Sequence, residues 1–261
     1  MFYLDFLERV HEVLDPPTYL EIGIRHGDSL ALARSGSSIG IDPAYELRTE
    51  LPPDTTLFRE TSDEYFDRAD PLEPFGGRPA ALAFIDGMHK VEFALRDFIN
   101  VERHSDWTSV AVFDDILPGN VEMANRTRKT RAWTGDVYKI LGILARHRPD
   151  LICLRVDTEP TGLLLVMGLD PSSSVLDDRF DDIVLDSVVP DPQPVPADVL
   201  ERRVTVDPEA ALSASLWSLL REARASEVPR RQGVRDLRRR VRSDFGQRRL
   251  RWPRIAAVSA R

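Results

Sequence analysis

Short β-rich runs recur along the chain at 18–24, 37–42, 55–59, 80–86, 108–114, 151–157 and 162–168, which predicts seven strands. After the fourth run, Val91, Ala94, Leu95, Phe98 and Ile99 fall at i, i+3, i+4, i+7 and i+8, the apolar stripe of a helix lying on a sheet. The first five runs alternate with helix-compatible segments, as in a parallel, doubly wound sheet. The last two differ, because only Thr158-Glu159-Pro160-Thr161 separates Asp157 from Gly162. A parallel crossover needs a dozen or more residues, so these strands run antiparallel if they pair. The expected fold is α/β: a Rossmann-like, doubly wound seven-stranded sheet, mostly parallel, with a terminal antiparallel β-hairpin. Beyond Asp170 an acidic stretch (Asp177, Asp178, Asp181, Asp182) leads into proline-rich Val189 to Ala197, then a helix predicted from Pro208 to Ala225. Val234, Leu237, Val241 and Phe245 keep helical spacing among arginines. This divides the chain into a sheet domain (1–171), an appendage (172–228) and a basic tail (229–261).

At 261 residues the chain supplies one full α/β core and extensions rather than two equal domains. No apolar run spans a bilayer, and the first residues lack the pattern of a signal peptide, so a cytoplasmic location is expected. The net charge of -8 is unevenly spread: Pro229 to Arg261 holds twelve arginines against Asp236 and Asp244, leaving the rest strongly acidic. Contact with RNA or an anionic membrane would have to come from this tail, read as a basic amphipathic helix or, preferably, a solvated disordered segment. The single cysteine, Cys153, forms no internal disulfide and is expected as a small core residue.

The first strand and turn read Tyr19-Leu20-Glu21-Ile22-Gly23-Ile24-Arg25-His26-Gly27, an E-x-G-x-x-x-G turn in which glycines let backbone approach a ligand. Such a turn also packs strand against helix. Asp42 ends the second strand, where a carboxylate can accept both hydroxyls of a ribose or cap a turn before Pro43. Ser62 follows strand three, as an adenine contact or a helix cap. Strand four ends in Asp86-Gly87-Met88-His89 and strand five in Asp114-Asp115, so three carboxylates emerge from adjacent strands at one edge. Their repulsion calls for a cation, and hard oxygen ligands favour Mg²⁺. The alternative leaves Asp86 to a cofactor and Asp114 and Asp115 to capping.

Together these residues resemble the class I S-adenosylmethionine-dependent methyltransferases over about residues 15–170. The motif pattern is closest to the metal-dependent O-methyltransferases of the catechol and caffeoyl type and their sugar-methylating relatives. The resemblance implies S-adenosylmethionine as cofactor, with Gly23 and Gly27 along its amino-acid and ribose part, Glu21 near its amino group, Asp42 on the ribose, Ser62 at adenine, and Asp86 shared with the metal. It implies Mg²⁺ or another divalent cation on Asp86, Asp114 and Asp115. His89, three residues after Asp86 where catechol-type enzymes carry a catalytic lysine, is the expected base, suited by a near-neutral pKa, with Lys90 as a substitute. Arg126 to Tyr138, with Arg128, Arg131 and Trp133 ahead of a helix starting near Thr134, is the expected acceptor wall. The partner implied is a small-molecule or glycan acceptor, and a homo-oligomer is compatible with the reading. A metal-independent methyltransferase and a non-catalytic cofactor-binding scaffold stay open as alternatives.

Overall fold

The computed structural model describes residues 1–226 and 228–246. Its sheet contains β1 (Tyr19–Ile22), β2 (Ser38–Ile41), β3 (Thr55–Phe58), β4 (Leu82–Ile85), β5 (Val110–Phe113), β6 (Ile152–Val156) and β7 (Leu163–Met167). The spatial order is β3-β2-β1-β4-β5-β7-β6. The first five strands are parallel, and β7 runs antiparallel to both β5 and β6. This is the class I methyltransferase fold expected from the hairpin. Strands β1, β2, β4, β5 and β7 are buried at every position, which explains their continuous apolar runs instead of alternation.

The helices are α1 (Tyr3–Leu14), α2 (Ser62–Phe66), α3 (Val91–Arg103), α4 (Ile140–His147), α5 (Phe180–Ser187), α6 (Ala197–Leu200), α7 (Pro208–Leu212), α8 (Leu216–Arg224) and α9 (Arg230–Phe245). One face of the sheet is covered by α3, α4 and α5, with Val91, Ala94, Leu95, Phe98 and Ile99 all in the core as their spacing requires. The other face is covered by α1, α7, α8 and α9, from the two ends of the described chain.

The crossovers on that second face depart from expectation. Between β1 and β2 only a 3-10 turn, Leu30–Leu32, is helical, and between β2 and β3 there is no helix. Ser29, Ser35, Gly36 and Ser37 leave no apolar period there, and α1, with Phe6, Leu7, Val10 and Leu14 buried, fills the space. The helix expected over Pro208 to Ala225 is broken at Ser213–Ser215. There the Asp244 carboxylate of α9 accepts the Ser215 N–H at 3.1 Å and its hydroxyl at 3.0 Å.

A solvated tail is corrected for Arg230–Phe245. This segment is a helix with Gly233, Leu237 and Val241 buried. Gly233 lies so close to the Trp107 ring that a Cβ there would stand 2.1 Å from it. Residues 247–261 of the tail lie outside the described residues. Cys153 is half-buried at the margin of the core. Among the described residues no helix is long and apolar enough to cross a membrane.

Candidate active site at the carboxyl edge of the sheet

Strand register builds the site. Ile22 pairs with Ile41 and with Ile85, and Ile85 pairs with Phe113, so β1, β2, β4 and β5 end level with one another. The next residues, Gly23, Asp42, Asp86 and Asp114, therefore leave the sheet side by side. The order of strands reverses between β1 and β4, and in open α/β sheets the crevice for ligands opens at such a switch point.

Gly23 has φ +93°, and a Cβ there would lie 2.1 Å from the Asp86 carbonyl oxygen, so only glycine lets the β1 and β4 loops meet. Gly27, at φ +85°, closes the turn by donating its N–H to Ile24 O at 2.8 Å. Glu21 lies fully buried beneath this turn, accepting hydroxyl hydrogen bonds from Tyr19 at 2.7 Å and Ser29 at 2.6 Å. Burial pushes its carboxyl up to about 7, against the pull of those two donors. Asp42 is half-buried and fastens the turn, accepting the Arg25 N–H at 2.8 Å and the Ala44 N–H at 2.6 Å.

Ser62 is the first residue of α2 rather than its cap. Thr61 caps the helix in a reciprocal capping box with Glu64. The Ser62 hydroxyl faces Asp97 of α3, a buried carboxyl that burial pushes up to about 7. Asp97 also lies beneath Gly87, where a Cβ would stand 3.4 Å from its Oδ2.

Asp86, His89 and Asp115 offer ligand atoms within 4.8 Å of one another. His89 Nδ1 lies 2.6 Å from Asp115 Oδ2 and 2.7 Å from Trp133 O, while Nε2 lies 3.5 Å from Asp86 Oδ1. Asp115 reaches this position through a left-handed backbone, φ +64°, that aspartate tolerates better than most residues. Asp114 stays outside this group of three. Its Oδ1 accepts the Asp115 N–H at 2.7 Å and the Thr161 hydroxyl at 3.3 Å. All four residues line one small cleft.

Burial disfavours a charged His89, but the hydrogen bond and charge of Asp115, with the charge of Asp86, outweigh it and push the imidazole up to about 9. The expectation of a near-neutral histidine is corrected: the carboxylates of Asp115 and Asp86 raise the imidazole above its ordinary range. Burial and Asp114 push Asp86 well above the carboxylate range, and burial and Asp115 push Asp114 up.

The segment expected as an acceptor wall does several jobs. Trp133 lies parallel to the His89 ring, 5.1 Å between centroids and 5° between planes, and donates its indole N–H to Asn125 O at 2.6 Å. Arg128 and Arg131 are exposed, whereas Arg126 is bound to Glu92 and, at 2.9 Å, to Asp136. No helix starts at Thr134. The helix begins at Ile140 after a 3-10 turn, because Gly135 (φ +54°) packs on the His89 carbonyl and Asp136 accepts the Val91 N–H at 2.9 Å, capping α3 instead. Lys90 ends its loop as the backbone cap of α3.

Sequence reasoning missed two residues here. Asp97 interrupts an apolar helix face, which was a visible signal. Tyr3 carried none, since only the fold brings α1 to the carboxylates of Asp86, Asp114, Glu21 and Asp28.

No protein-family model matches the sequence, and no curated protein matches it. Solved structures of similar fold include an O-methyltransferase from Bacillus cereus in complex with S-adenosylhomocysteine, at 14% identity and TM-score 0.47, covering 64% of this chain and 80% of that one. Another is the O-methyltransferase TomG from Streptomyces achromogenes, involved in tomaymycin synthesis, in complex with S-adenosylmethionine, at 17% identity and TM-score 0.47, covering 63% and 78%. A third is the methyltransferase PaMTH1 from Podospora anserina, bound to S-adenosylhomocysteine, at 10% identity and TM-score 0.46, covering 63% and 77%. Similarity at this level describes a backbone arrangement and not a reaction.

Proposed function

We propose that this chain is an S-adenosylmethionine-dependent O-methyltransferase acting on a hydroxyl of a small molecule or glycan. The observation that carries the reading is the register of four strand ends, which sets Gly23, Asp42, Asp86 and Asp114 side by side at the switch point of a class I methyltransferase sheet. A cleft ringed by carboxylates suits a ligand bearing sulfonium and ammonium charges. In this reading the Gly23 and Gly27 backbone approaches the amino-acid and ribose part of the cofactor, Asp42 takes the ribose hydroxyls and Ser62 borders the adenine. Glu21, enclosed by Tyr19 and Ser29, holds the turn from below and acts on the cofactor amino group through charge.

Asp86 and Asp115, with Asp114 beside them, would hold a divalent cation. The donor chemistry fits: carboxylate oxygens suit Mg²⁺, and the imidazole within reach suits Mn²⁺ or Zn²⁺ equally. When bound, such an ion supplies a Lewis acid that lowers the pKa of an acceptor hydroxyl and offsets the carboxylate charge around His89. His89 Nδ1 is fixed by Asp115 and the Trp133 carbonyl, which leaves Nε2 to accept the hydroxyl proton. The acceptor oxygen bonds to the methyl carbon, the S–C bond breaks, and S-adenosylhomocysteine leaves. Trp133, stacked on His89, and Met88, 53% exposed beside it, form an apolar wall for the acceptor.

A metal-independent reading keeps His89, held between Asp86 and Asp115, as the base. The test is methyl transfer from radiolabelled S-adenosylmethionine to a panel of catechols and glycosides, with Mg²⁺ or Mn²⁺ and after chelation. Transfer abolished by chelator and restored by metal supports the metal-assisted reading. Transfer indifferent to chelator supports the second, and no transfer to any acceptor counts against both.

A further inference from the structure

Helix α1 covers the sheet face opposite α3, and its first turn is fastened to the β6–β7 turn. Tyr3 donates its N–H to Glu159 O at 2.9 Å, and Glu159 donates its own N–H to Met1 O at 2.8 Å, so residues 1–3 lie along the β6–β7 turn. Arg202 clamps the same turn, bonding Asp157 at 2.7 Å and the carbonyls of Thr158 and Pro160. Thr161, at the end of that turn, reaches Asp114. The start of α1 is thereby tied, through one short turn, to the carboxylates of the cleft.

Strand alternation fixes what lies beneath it. Phe84 pairs with Glu21 across the β1–β4 ladder, and Phe84 and Asp86, two residues apart, project from the same face. The Tyr3 ring stacks over Phe84, 6.4 Å between centroids and 24° between planes. Beyond Phe84 along the strand comes the carboxylate edge, and the phenol is under the joint influence of Asp86, Asp114, Glu21 and Asp28, which with burial hold its proton well above the usual tyrosine range. The hydroxyl makes no hydrogen bond among the described residues, and Tyr3 is half-exposed. A neutral aromatic ring thus stands over the end of β4, next to the carboxylate edge, with its polar end unengaged.

We infer that Tyr3 is a cofactor-binding residue: its ring and phenol oxygen cover the sulfonium end of bound S-adenosylmethionine, on the face of β4 that carries Phe84 and Asp86. This rests on the proposed cofactor reading. An electron-rich ring attracts a cation over its face, and the surrounding carboxylates reinforce that preference, so Tyr3 contributes to discrimination between the charged donor and the neutral-sulfur product.

The test is calorimetric titration of the full chain with S-adenosylmethionine and with S-adenosylhomocysteine, comparing wild type, Tyr3→Phe, Tyr3→Leu and Tyr3→Ala. Loss of the ring is expected to weaken S-adenosylmethionine binding about tenfold and S-adenosylhomocysteine binding about threefold or less, whereas Tyr3→Phe stays within a fewfold of wild type. Tyr3→Leu retains apolar volume against Phe84 and answers the question if the alanine variant fails to fold. Wild-type affinity for both ligands in the leucine or alanine variant overturns the inference alone, as does equal weakening of both. Failure of the wild type to bind either ligand overturns the cofactor reading and this inference with it.

Discussion

Asp97 offers a stability test that reports on the floor of the site. Its carboxyl is buried on α3, between Ser62 and Gly87, and burial pushes it up to about 7 from an ordinary value of 3.8. A folded-state pKa above the unfolded value means that the folded chain binds the proton more tightly. The unfolded state gains from ionisation as soon as pH exceeds 3.8, whereas the folded state gains little until about 7. Stability is therefore lost as pH rises through this window and levels off above it. At about 1.4 kcal/mol per pKa unit, the change between pH 5 and pH 8 amounts to roughly 3 kcal/mol. Asp97→Asn keeps a carbonyl acceptor for Ser62 and cannot ionise. Urea denaturation of both proteins at pH 5 and pH 8 isolates this group, because every other titration is common to the pair. The variant should gain about 3 kcal/mol relative to wild type on going from pH 5 to pH 8. A difference between the two proteins that stays constant with pH would refute the reasoning.

Three further outcomes follow from buried contacts. Arg148 and Glu102, only 2% and 4% exposed, form a bidentate pair, so Arg148→Met leaves a buried carboxylate without its counter-ion and should cost about 3–5 kcal/mol in urea denaturation. The double variant with Glu102→Leu should recover most of that loss. Gly23→Ala drives a Cβ into the Asp86 carbonyl and should destabilise by on the order of 3 kcal/mol and abolish cofactor binding. Asp136→Ala removes the acceptor for the Val91 N–H and an ion-pair partner of both Arg126 and Lys139, and should lower the denaturation midpoint measurably more than Arg128→Ala, whose side chain is exposed.

The sheet was legible because most of its strands are buried on both faces and so read as mainly apolar runs, and the hairpin because four residues cannot make a parallel crossover. Asp42, Asp86 and the Asp114-Asp115 pair were legible for the same reason, since each ends a run. What the sequence concealed depends on partners far along the chain. The start of α4 was placed too early because Asp136 caps α3, 45 residues back, rather than its own helix. Docking of α9 turns on the close approach of Gly233 to Trp107, a contact that no apolar count records. The position of His89 follows from a backbone twist at Asp115 and from Trp133, neither of which has a local signature.

Whether the edge above β1, β2 and β4 binds S-adenosylmethionine is decided by calorimetric titration with S-adenosylmethionine and S-adenosylhomocysteine, with and without Mg²⁺. Saturable binding of both ligands by the wild-type chain, with a clear loss of affinity in Asp42→Ala, is the expected outcome. Absence of binding by the wild type under both conditions would contradict it.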